Sequence, residues 1–99
     1  MKIYWTILAD LSFQEEIDFI LRKWNLSEAE KFVDLVDDFI TTLSSSPYLG
    51  KKSEKEDIRV FVLSKQTTVI YEVFDDLNRI DLLLFWNNKR DQNELKKLL

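Results

Sequence analysis

"RIDLLLFWNNKRDQ", residues 79–92, is the stretch that decides the architecture. From Leu82 to Trp86 every residue is large and apolar, which suits a strand covered on both faces. Such a strand is central: it needs other strands to pair with and a packed layer over it. The run then breaks into two amides and two cations, Asn87, Asn88, Lys89 and Arg90, in a chain whose net charge is -4.

The partner strands lie upstream. "TTVIYEVF" (67–74) puts Val69, Tyr71 and Val73 on one face, and "IRVFVLS" (58–64) does the same with Ile58, Val60 and Val62. Alternation of β-branched and aromatic residues reads as strand. The links "KQ" and "DDLN" are hairpin-sized. Ser44 to Asp57 is polar and charged, holds the only Pro and the only Gly, and reads as one long loop.

Before that loop the period changes. Phe13, Ile17, Ile20, Leu21 and Trp24 form a helical stripe within residues 9–24. Ala29, Phe32, Val33, Val36, Phe39, Ile40 and Leu43 form a second, to about residue 45. Asp10 and Ser12 compete as caps of the first helix. Ser27 and Glu30 have capping-box spacing for the second, with Leu26 as its hydrophobic staple. Pro47 stops that helix in "SSSP". "KIYWTI" (2–7) alternates again, with Ile3, Trp5 and Ile7 on one face. The tail offers Asp91 or Asn93 as cap of a short helix with Leu95, Leu98 and Leu99 on its apolar edge, packed on the protein or completed by a partner. The order is β-α-α-β-β-β. It predicts a single α+β domain over residues 1–99, in two layers, with a helical hairpin packed on a small, mostly antiparallel sheet.

At 99 residues and 45% hydrophobic content the chain can bury one core, which argues against disorder. It has no Cys and no His, so disulfides, a thiol nucleophile and the commonest metal ligand are missing. No cofactor and no metal are expected. "MKIYWTILAD" lacks the pattern of a signal peptide, and no window has the apolar length of a membrane span, so a cytoplasmic protein without a membrane partner is expected. The adjacent acids at 15–16, 37–38 and 75–76 read as solvated surface, because neighbours on a helix do not face one another. Residues 1–57 hold 7 Lys+Arg against 12 Asp+Glu, and residues 58–99 hold 7 against 6. The acidic total disfavours broad nucleic-acid binding, while a local basic site in the second half is allowed.

The element order resembles the RelE/ParE superfamily of toxins from bacterial type II toxin–antitoxin modules. The pieces that carry the resemblance are "YWTILADL", "IDFILRKW", "PYLGK", "DIRVFVLS", "VIYEV" and "FWNNKRDQNEL", and together they span nearly the whole chain. What the resemblance implies is a toxin held inactive by a cognate antitoxin that orders as it binds, in a hetero-oligomer. ParE-like members poison DNA gyrase by binding; RelE-like members cut mRNA in the ribosome. Clustered Arg and Lys, often with His or Tyr, mark the nuclease members. This chain departs from them at Thr68, Val69 and Trp86, and in its acidic total. The resemblance therefore favours a ParE-like, non-enzymatic toxin. The alternatives are a RelE-like endoribonuclease using Arg59, Lys65, Lys89 and Arg90, and a binding module that has lost toxicity.

The residues expected to bind are Arg59, Phe61, Leu63, Trp86, Asn87, Lys89 and Arg90. Trp86, Asn87, Lys89 and Arg90 form the best cluster, an indole platform beside donors for an anionic group. Arg59 lies on the strand face opposite Ile58, Val60 and Val62; its plainer alternative is a surface ion pair. Lys65 reads by default as a turn lysine, and Tyr71 as a core tyrosine with a bonded hydroxyl. Phe61 and Leu63 are expected on the sheet face away from the helices, exposed in the free protein and covered by the antitoxin.

Overall fold

The computed structural model describes residues 1–55 and 57–99; position 56, inside the predicted loop, lies outside them. Strand β1 (Lys2–Trp5) leads into helices α1 (Ile7–Lys23) and α2 (Leu26–Ser45). Then come β2 (Lys51–Lys52), β3 (Ile58–Val62), β4 (Thr67–Phe74), a single 3₁₀ turn at Asp75–Leu77, β5 (Arg79–Asn87) and α3 (Gln92–Leu98). The five strands form one sheet in the order β1-β5-β4-β3-β2. β1 runs parallel to β5, and the other pairs are antiparallel. The α+β two-layer architecture is as expected, and β2 is an addition within the predicted loop. No helix among the described residues is long and apolar enough to cross a membrane.

Both caps differ from expectation. The Thr6 hydroxyl accepts from the Ala9 amide at 3.1 Å, so α1 starts at Ile7 rather than at a cap on Asp10 or Ser12. Ile7, predicted as a strand residue on the face of Ile3 and Trp5, is the first helical residue and is 81% exposed. Asn25 caps α2 by accepting from Glu28 N at 2.9 Å, which places Ser27 and Leu26 inside the helix. Asn is as good a cap as Ser, and the shorter turn lets α2 begin one residue after it.

α1 and α2 cover one face of the sheet. Phe13 lies 5.2 Å from Trp5, 5.3 Å from Phe85 and 5.7 Å from Phe32 between ring centroids, and joins both helices to β1 and β5. The face that α1 buries is Ala9, Ser12, Glu16 and Ile20. Leu21 and Trp24, expected on that stripe, are exposed. Glu16, expected to be solvated, is 4% exposed and accepts the Thr67 hydroxyl at 2.5 Å.

β1 is too short to pair with all of β5. It ends opposite Leu82, and α1 satisfies what lies beyond. The Thr6 hydroxyl donates to Leu82 O at 2.8 Å, and the Phe85 amide donates to the Ser12 hydroxyl at 2.9 Å. Where Ile70 faces Leu84 but Tyr71 faces Leu82, the β4–β5 register slips by one residue at Leu83. Such a bulge changes which face the next side chains take. Ile80, Leu82 and Phe85 therefore join the core under the helices, whereas Leu84 and Trp86 point to the opposite face. There they meet Leu95 of α3 together with Ile70, and Ile58, Leu83 and Leu99 pack around them. The apolar run at 82–86 thus feeds two cores, and the second is closed by the chain's own C-terminal helix.

The assignment of faces in β3 is corrected. Phe61 and Leu63 are packed against the helix-side core, with Phe61 stacked on Phe39 at 4.8 Å between centroids. They are not on the face away from the helices, because Ile58 already belongs to the α3-side core and alternation sends Phe61 the other way.

Candidate functional site

The polar end of β5 divides into amides that hold the structure together and cations that face solvent. Asn88 Nδ2 donates to Ser64 O at 3.3 Å and to Lys65 O at 3.1 Å. Its Oδ1 accepts from the Thr68 hydroxyl at 2.6 Å, and its amide donates to Gln66 O at 2.7 Å. Asn88 therefore fastens the β3–β4 turn to the end of β5. Asn87, expected to bind, is buried, and its Oδ1 accepts from Lys89 N at 2.9 Å. That bond turns the chain and lifts Lys89 and Arg90 out of the sheet.

Trp86 is only 2% exposed, so the platform expected of it is already occupied. The Arg90 guanidinium sits over the ring at 4.3 Å from its centroid, and Arg90 Nη2 lies 3.8 Å from Glu94. The indole closes the α3-side core, and its N–H is buried with no hydrogen-bond partner among the described residues. Asp91 caps α3 by accepting from Asn93 N at 2.8 Å, which holds the helix next to this group.

Arg59 does not join this cluster. Its Nη1 donates to Gly50 O at 2.8 Å and to Tyr48 O at 3.4 Å, and its guanidinium lies 4.9 Å from the Tyr48 ring centroid. Arg59 pairs with Tyr71 across the sheet, whereas Trp86 pairs with Thr68. Three residues along β4 is roughly 10 Å at the rise of a strand, and the two side chains are on opposite faces. Tyr71 shares the task of Arg59. It is fully buried, donates to Pro47 O at 2.9 Å, and accepts from the Gly50 amide at 2.7 Å. Burial raises its pKa above the ordinary tyrosine value, against the opposing pull of the Gly50 amide and of Arg59. Gly50 is required here, since a Cβ would come within 2.8 Å of the Tyr71 oxygen and 3.0 Å of Val60 O. Arg59 and Tyr71 thus anchor the loop at residues 46–50.

Lys65 occupies the turn that Asn88 ties to β5, so Lys65, Lys89 and Arg90 belong to one end of the molecule. The end of α1 adds two residues that the sequence reading passed over. Lys23 Nζ lies 5.6 Å from the Phe19 centroid and 5.5 Å from that of Trp24, and Lys89 Nζ lies 5.9 Å from the same Phe19 ring. A hollow of about 380 Å³ opens beside them, lined by Glu15, Asp18, Phe19, Arg22, Lys89 and Arg90 among others. A second, of about 260 Å³, is floored by Ile20, Phe32 and Leu35, walled by Trp24, and rimmed by Lys31 and Lys65. Phe19 and Lys23 stand four residues apart, a spacing that puts them on one helical face, so this pair was legible. That Lys89 would meet them was not. Among the described residues, no group of three or more His, Cys, Asp or Glu is placed to hold a metal ion.

A helical hairpin laid over a five-stranded mixed sheet, with a short helix closing the far face, is the architecture of the RelE/ParE toxins. Residues 3–92 match the family model described as ParE toxin of type II toxin-antitoxin system, parDE, and the chain belongs to that family. Among solved structures, it is similar to a chain of the chromosomal ParDE toxin–antitoxin system from P. aeruginosa, at 19% identity and a TM-score of 0.72, covering 88% of this chain and 95% of that one. The YoeB/ParE toxin from Agrobacterium tumefaciens superimposes with a TM-score of 0.61 at 16% identity, over 89% of this chain and 99% of that one. The isolated E. coli RelE toxin gives 0.62 at 14% identity, over 99% and 98%. Identities this low establish the shared fold. A comparison with curated proteins finds no match.

Proposed function

We propose that this toxin is ParE-like in action: a cytoplasmic protein that inhibits growth by binding a cellular protein, DNA gyrase being the expected target, and that a cognate antitoxin neutralises in a hetero-oligomer. The observation that carries this reading is the separation of the four cations a nuclease reading requires. Lys65, Lys89 and Arg90 share one end of the molecule, while Arg59 is held by Gly50 O and Tyr48 on the other face. Cleavage through an RNA 2′-hydroxyl needs an acid, a base and cations around one phosphate. Binding needs only a rigid surface. The ParDE relative supports the antitoxin as partner.

Two assays on the purified chain separate the readings. Inhibition of gyrase-catalysed supercoiling, with no cleavage of mRNA on programmed ribosomes, is the expected result. Ribosome-dependent cleavage abolished by Lys89→Ala would establish the endoribonuclease instead. Overexpression in the native host without any growth defect would leave the binding module that has lost toxicity.

A further inference from the structure

We propose that Lys23 and Lys89, whose amines meet beside the Phe19 ring, form a clamp for a carboxylate of an acidic peptide segment, whose neighbouring apolar side chain enters the hollow walled by Trp24. The inference does not depend on which cellular target the toxin has. Neither lysine is in an ion pair among the described residues, although the chain carries 18 acids. Both ammonium groups lie within 6 Å of one aromatic centroid, the range in which a ring face attracts a cation. Lys89 also holds the Lys23 amine below the ordinary lysine value, first by hydrogen bonding and then by like-charge repulsion. An anion placed between them relieves that repulsion.

Three features favour a peptide over a polynucleotide. Glu15 and Asp18 line the hollow beside Lys89, and Glu28 lines the one beside Trp24, so a row of phosphates leaving the clamp meets carboxylates. The net charge of -4 acts in the same direction at long range. The hollow beside Trp24 has an apolar floor, and Gln66, whose Nε2 is buried without a hydrogen-bond partner among the described residues, lines it. A peptide carbonyl is the acceptor such an amide lacks.

The test is a titration of the full chain, with the lysine Cε resonances followed by NMR. The probes are a blocked tetrapeptide alternating glutamate and leucine, its glutamine counterpart, and a dodecauridylate. The glutamate peptide should shift the Lys23 and Lys89 resonances but not Lys51, and should raise the Lys23 pKa. Lys23→Ala, Lys89→Ala and the glutamine peptide should each weaken binding about tenfold, as loss of a charged hydrogen bond does. In the free protein Lys89→Ala should return the Lys23 pKa toward its ordinary value. The proposal is overturned by equal binding of the glutamine peptide, by silence of both lysines at millimolar peptide, or by a Lys23 pKa indifferent to Lys89→Ala. Tighter binding of the dodecauridylate at the same lysines would overturn it in favour of a nucleic-acid site.

Discussion

Single atoms decide what the loop at residues 46–50 does. The Tyr71 hydroxyl donates to Pro47 O and accepts from Gly50 N, and Gly50 O receives Arg59. Gly50→Ala forces a Cβ against the Tyr71 oxygen and should destabilise the protein by roughly 1–3 kcal/mol in urea unfolding, the usual cost of overpacking. Tyr71→Phe leaves the buried Gly50 amide and Pro47 carbonyl without their partner, at about 1–3 kcal/mol. The hydroxyl also sets a pH dependence. A tyrosine whose pKa is raised on folding contributes stability that is complete below its unfolded value, about 10, and is lost as pH rises through the folded one. Stability measured from neutral pH upward should therefore fall in the alkaline range above the ordinary tyrosine value. Tyr71→Phe should flatten that part of the profile. The role of Tyr71 as a core tyrosine was legible from its place in an alternating strand. The role of Arg59 was not, because its partners are backbone oxygens supplied by a loop nine to eleven residues earlier.

At the scale of elements, two short pieces control how the sheet is finished. Thr6 serves α1 twice: its hydroxyl caps the helix at Ala9 N and donates to Leu82 O past the end of β1. Thr6→Ala should cost about 1 kcal/mol for the cap alone, read as a lower midpoint in thermal or urea unfolding. Thr6→Ser should restore most of it. α3 rests on the far face through Leu95, which is 6% exposed against Ile70, Leu84 and Trp86. Leu95→Ala should destabilise by about 2–5 kcal/mol if α3 unfolds with the rest of the domain. Native-state hydrogen exchange checks that coupling: α3 amides opening far below the global free energy would show that the helix is a separate unit. Helix periodicity gave both long helices. Their first residues were misplaced because Thr6 and Asn25 cap as well as the Ser and Asp residues inside the helices, and only the packed turn chooses among them.

For the molecule as a whole, the distribution of charge matters more than the total. The basic end gathers Lys23 from α1, Lys65 from a turn, and Lys89 and Arg90 from the exit of β5. A toxin that uses this end for binding should lose growth inhibition when Lys89→Glu is expressed in the native host. Arg59→Ala should act through stability instead, measured as a lower unfolding midpoint. An unfolding midpoint for Lys89→Glu equal to that of the parent chain would confirm that a lost effect comes from the surface.

By itself the sequence determined the order of the elements other than β2, the two-layer architecture and the interior place of residues 79–87 in the sheet. It also determined the family, since the spacing of "PYLGK", "DIRVFVLS" and "FWNNKRDQNEL" is a property of the linear chain. These follow from the period of side chains along a helix or strand, which is local. Tertiary structure alone decided which face Phe61 and Leu63 occupy, that Trp86 lies beneath Arg90, that Glu16 is buried on Thr67, and that Lys23 meets Lys89. Each of these depends on the one-residue slip at Leu83 or on where the hairpin lands on the sheet. Both are set by packing between residues far apart in the chain, which no periodicity records.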